Sequence, residues 1–87
     1  MPQSNEGPRS IHVLYFAQFR GSRGLGEETV STSSATAGEL YKELCDLHKM
    51  YYDPATVRVA VNDEIAEWAN PLADGDTVVF LAPYAGG

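Results

Sequence analysis

The chain has 87 residues, of which 44% are hydrophobic, a net charge of −6 and one cysteine. That length builds one domain with a modest core, and the composition is that of a globular chain, not a disordered one. No apolar run approaches the roughly 20 residues of a membrane-spanning helix, and a strongly acidic balance disfavours nucleic acid, whose phosphates it repels.

Residues 1–10 carry no apolar stretch of the secretory type, so they are expected to form a disordered leader before a domain over 11–82. Cys45 has no second cysteine to pair with, which makes a reducing cytoplasm the default compartment. Residues 11–19 are apolar at almost every position and predict a strand covered on both faces. Gly21, Gly24 and Gly26 follow and predict a flexible connection. The run Gly21-Ser22-Arg23-Gly24-Leu25-Gly26 superficially resembles a phosphate loop. It lacks the Gly-Lys-Ser/Thr end and runs into Glu27-Glu28, so that function is set aside. Residues 28–32 form a weaker second strand.

Thr36-Ala37-Gly38-Glu39 has the spacing of a capping box, with Thr36 as the N-cap. Leu40, Leu44 and Leu47 recur at helical spacing and predict the buried face of a helix that ends before Pro54. Residues 57–61 alternate as a strand does, Asn62-Asp63 supplies a turn, and residues 65–68 make a short edge strand. Asn70-Pro71 and Asp74-Gly75-Asp76 are further turns. Residues 77–82 form the last strand, again apolar on both faces. The order β-β-α-β-β-β, with its most apolar strands first and last, predicts an α+β fold. Those two strands would pair at the centre of a mixed sheet of about five strands, packed on one main helix in the β-grasp manner of ubiquitin.

Pro83, Tyr84, Ala85, Gly86 and Gly87 then form a short tail with no long linker before it. Five extended residues reach about 16–18 Å, a length suited to a neighbour's active site. Glycine has no Cβ, so Gly86-Gly87 can enter a slot that any other residue would block. The α-carboxylate of Gly87 is inert at neutral pH and needs activation, most plausibly adenylation by another protein. Phe80 and Tyr84 are the aromatic candidates for partner contact, with Pro83, Ala85 and Gly86 beside them. Charge supports a partner role. Residues 1–52 hold six acidic and five basic side chains, whereas residues 53–87 hold six acidic ones against Arg58 alone. An acidic tail-bearing half serves solubility and steering toward a basic docking surface alike. His12, His48 and Cys45 lack metal-ligand spacing. Cys45 reads as a small core residue and Trp68 as an aromatic at the rim of the core.

Several segments resemble the small, sulfur-carrying subunit of molybdopterin synthase, the MoaD type of the MoaD/ThiS sulfur-carrier family. They are residues 13–17, 36–40, 59–62 and 71–78, leading into Gly86-Gly87. Ahead of the glycines this chain has one proline where the family carries two, and a tyrosine in the aliphatic slot. The resemblance implies that an ATP-using enzyme of the ubiquitin-activating type adenylates Gly87. A sulfurtransferase then supplies the sulfur of a thiocarboxylate, and the tail delivers that sulfur to a cyclic pyranopterin precursor held by the large subunit. It implies no cofactor on the chain itself, no catalytic acid or base of its own, and a heterotetramer with two copies at opposite ends of a large-subunit dimer. Sulfur carriage for another pathway such as thiamine, ubiquitin-like attachment to lysines, and a purely structural interaction role stay open at this point.

Overall fold

The computed structural model describes residues 8–50 and 53–81, apart from the side chains at 17, 18, 22 and 54. Among the described residues five strands and two α-helices follow in order. They are β1 (Arg9–Tyr15), α1 (Ala17–Arg23), β2 (Glu27–Thr32), α2 (Ala37–His48), β3 (Arg58–Val61), β4 (Glu64–Ala66) and β5 (Thr77–Leu81), with a single 3-10 turn at Pro54–Thr56 between α2 and β3. The sheet order is β2-β1-β5-β3-β4. β1 and β5 are parallel neighbours at its centre, and every other pairing is antiparallel. This is the expected α+β, β-grasp arrangement, with the first and last strands in the middle.

The core lies on one face of the sheet. Ile11, Val13 and Tyr15 of β1, Val59 and Val61 of β3, and Val78 and Phe80 of β5 share it with Ala37, Leu40, Tyr41, Leu44 and Cys45 of α2. Strand alternation sends Leu14, Ala60 and Val79 to the other face, and these three are partners in adjacent strands. Both central strands are thus half-covered on that second face, which no helix packs against among the described residues.

α2 is capped as expected at Thr36, whose Oγ1 accepts the Glu39 N–H at 3.2 Å. The reciprocal bond is shifted by one residue: Glu39 Oε1 accepts from the N–H of Ala35 at 2.7 Å, one position before the cap. Leu47, expected in the core, is 63% exposed. The buried stripe runs Ala37, Leu40/Tyr41, Leu44/Cys45 and drifts with the 3.6-residue period away from position 47. Met50 closes the core instead, after Lys49 ends the helix in the left-handed conformation.

The first strand stops at Tyr15, and residues 17–23 form a helix where the sequence predicts four more strand residues and a flexible glycine connection. The apolar run hides the change because Phe19, fully buried, serves a helix as well as a strand. The glycine that matters is Gly24. It has φ 75° and donates its N–H to Arg20 O at 2.9 Å, so it ends α1 as a left-handed C-cap.

Candidate functional site

The tail is expected to act from the end of β5, so that strand's placement decides what the tail can do. At its start β5 is clamped. Asn62 and Asp63, at φ 52° and 73°, make the two-residue turn between β3 and β4. The Asn62 side chain accepts the Thr77 N–H at 3.0 Å and donates to Asp76 Oδ1 at 3.0 Å. Its backbone N–H donates to Thr77 O at 2.8 Å. Asp76 Oδ2 takes the Ala73 N–H at 2.8 Å, and Asp74 Oδ1 takes the Ser10 N–H at 2.7 Å. Gly75 donates its N–H to the carbonyl of the same Ser10 at 2.8 Å, in a turn at φ 91° that favours glycine. The Asn62 and Pro71–Asp76 motif is thus a polar clasp holding β1, β3 and β5 in axial register. It sets the level at which β5 ends.

At its far end β5 is held by packing. Tyr15 and Val59 flank Phe80 in the two neighbouring strands. The Phe80 ring lies 5.2 Å from Tyr41, 6.2 Å from Phe19 and 6.3 Å from Trp68, centroid to centroid. At 1% exposure Phe80 has no surface to offer a partner. Its placement among the contact residues is therefore corrected: alternation turns it inward, and it fixes the strand from which the tail leaves. The other expected site residues, Pro83, Tyr84, Ala85, Gly86 and Gly87, lie outside the described residues.

Beside Phe80, Tyr15 anchors a polar network that sequence reasoning missed. The Tyr15 hydroxyl donates to Glu28 Oε2 at 2.5 Å. Arg23, in the last turn of α1, grips the same carboxylate with two bonds, 3.1 Å from Nε and 2.8 Å from an Nη. Its guanidinium also stands 5.5 Å from the Tyr15 ring centroid. Burial and then the Glu28 bond push the Tyr15 hydroxyl pKa upward, so it stays protonated. Burial would raise the Glu28 carboxyl, but the Tyr15 and Arg23 hydrogen bonds and the Arg23 charge outweigh it and hold the carboxyl low. The network ties α1 and β2 to the strand beside β5. No short motif announces it, because its members are 5 and 13 residues apart in the chain.

The remaining candidates have structural surroundings. Cys45 is buried in α2. His12 meets Glu27 at 2.7 Å on the second face of the sheet. Trp68 is half-buried against the core and lies over Gly38, where a Cβ would come within 3.1 Å of the Trp68 carbonyl. Among the described residues no group of His, Cys, Asp or Glu could hold a metal ion, and no helix is long and apolar enough to cross a membrane.

Residues 13–87 match the ThiS family. The molybdopterin synthase sulfur carrier subunit of Escherichia coli (strain K12) is 31% identical over 80 residues, spanning 88% of this chain and 99% of that one. Among solved structures, the Pyrococcus furiosus protein described as molybdopterin converting factor, subunit 1, aligns with a TM-score of 0.73 at 30% identity, over 87% of this chain and 99% of that one. SAMP1 from Haloferax volcanii aligns with a TM-score of 0.73 at 24% identity, over 90% and 99%, a likeness of fold. With a clasped, centrally paired last strand and a match that runs through Gly86-Gly87, the chain belongs to the ThiS family, the MoaD/ThiS group of β-grasp sulfur carriers.

Proposed function

We propose that this chain is the sulfur-carrier subunit of a molybdopterin synthase and that the carboxylate of Gly87 is its working group. The observation that carries the reading is the 31% identity to the Escherichia coli carrier over 99% of that protein's length. The fold supports it: β5 is held at both ends, so the segment after Leu81 starts from a fixed point. An activating enzyme of the ubiquitin-activating type joins the Gly87 carboxylate to the α-phosphorus of ATP and releases pyrophosphate. AMP is then a good leaving group. A persulfide sulfur from a sulfurtransferase displaces it, and thiol cleavage of the resulting disulfide leaves the thiocarboxylate. That sulfur nucleophile enters the large subunit and bonds to the pterin precursor; water then cleaves the acyl C–S bond, leaving the sulfur on the precursor and a carboxylate on Gly87. ATP and precursor both bind the partners; this chain contributes the acyl group and its placement. Two copies at opposite ends of a large-subunit dimer complete the assembly.

The test incubates the chain with the activating enzyme, ATP and a persulfide donor, and weighs the product. Exchange of one oxygen for sulfur at Gly87 is the expected result. A chain that instead accumulates on lysines of other proteins, with no thiocarboxylate, contradicts the proposal.

A further inference from the structure

Arg58 is the one basic residue in the acidic half of the chain, and its position is specific. It opens β3 and is the register partner of Leu81, the last described residue before the tail. Val59 beside it points into the core at 1% exposure, so alternation places Arg58 on the open face of the sheet. Val79 and Leu14 continue that face as apolar neighbours across β5 and β1. Phe16, 46% exposed, follows Tyr15, whose partner is Phe80, and so stands at the level of Leu81. Among the described residues Leu14, Val79, Leu81 and Phe16 make an apolar field at the end of β5, and Arg58 is the cation placed beside Leu81. Among the described residues the Arg58 side chain makes no hydrogen bond or ion pair. Arg23, by contrast, is committed to Glu28. An exposed strand position flanked by Leu81 would be filled at least as well by Thr or Val for the sheet's own sake.

We propose that Arg58 is a specificity-determining docking residue: the partner that receives the tail covers the open face beside Leu81 with an apolar surface and sets a carboxylate against the Arg58 guanidinium. This rests on the sulfur-carrier reading and names a contact that reading requires. Five residues beyond position 82 reach about 16–18 Å, so a partner that swallows Gly87 must press on the surface around Leu81. A guanidinium buried there without a carboxylate leaves its donors unmet, and a cation opposite it is rejected outright. A second copy of the chain is the poorer occupant, because each copy carries −6. The acidic side chains of the same half fit a partner that is basic at its rim and acidic at this one point.

The experiment titrates the full-length chain into the molybdopterin synthase large subunit from the same source by calorimetry, with Arg58→Lys, Arg58→Leu, Arg58→Glu and, as a remote control, Leu47→Glu on the exposed side of α2. Arg58→Leu should weaken binding about tenfold or more, and Arg58→Glu further, whereas Arg58→Lys should stay within about threefold of the parent. Leu47→Glu should bind as the parent does, and all four should melt like it. If Arg58→Leu binds as tightly as the parent, or tighter, the contact is purely apolar and the proposal is overturned, even where Gly87 still carries sulfur. A parent chain that takes up no thiocarboxylate overturns the sulfur-carrier reading, and this proposal with it.

Discussion

Tyr15, Arg23 and Glu28 show how a few atoms join a helix to a sheet. The side chains of Arg23 and Glu28 are 14% and 21% exposed, so removing one partner leaves the other poorly solvated. Glu28→Ala should cost about 2–3 kcal/mol, and Tyr15→Phe about 1 kcal/mol. The two limbs of pH dependence have opposite signs. Glu28 is depressed, so its stabilisation is present above the ordinary carboxyl value of 4.5 and is lost as pH falls through the lower folded value. Tyr15 is raised, so its stabilisation is present below the ordinary 10.0 and is lost as pH climbs toward the higher folded value. Chemical denaturation across pH should therefore show a plateau between those values; Tyr15→Phe should remove the Tyr15 part of the alkaline limb and, by taking away one of the hydrogen bonds that hold Glu28 low, make the acid limb shallower. Gly38 is a second test at this scale. In an open helix Gly→Ala stabilises, but here the Trp68 carbonyl lies 3.1 Å from the new Cβ and accepts the Gly38 N–H at 2.8 Å, so it cannot withdraw cheaply. Gly38→Ala should cost about 1–2 kcal/mol by the same denaturation measurement.

Among the elements, α2 separates packed from unpacked leucines. Leu44 is 2% exposed and Leu47 63%. Leu44→Ala should cost about 2–5 kcal/mol, and Leu47→Ala should stay within about 0.5 kcal/mol. Equal melting of the two variants would contradict the assigned helix face. Sequence spacing placed both on one face because i, i+4 and i+7 approximate a helical stripe, and only the drift of the real stripe toward position 48 excludes Leu47. The strands were legible through alternation and turn residues, and α2 through its Thr36 cap. α1 was not, because a seven-residue helix continuing an apolar strand has no period long enough to read. Gly24, which caps it, is its one local signal. Phe80 failed for a related reason: proximity to the tail in sequence says nothing about which face of a strand a side chain takes.

For the whole molecule, a β-grasp body ending in the centrally paired β5 sets the start of the tail, and the proposed chemistry lies beyond it. The Asn62 and Asp76 clasp was visible in the sequence as a motif, but its purpose was not, since the bonds it makes run from one turn to another strand. Among the described residues the core runs as far as Phe80, and a chain end has few contacts to lose, so stability and function should come apart at the tail. Deleting Gly87, or adding one residue after it, should leave the melting curve unchanged while moving the reactive carboxylate by about 3.3–3.6 Å, enough to misplace a nucleophile. The most direct measurement is molybdopterin formation by the large subunit with the parent chain and with the Gly87-deleted chain, each treated beforehand with the activating enzyme, ATP and a sulfur donor. Product from the parent and none from the shortened chain is the predicted result; product at the parent's rate from the shortened chain would contradict Gly87 as the carrier of sulfur.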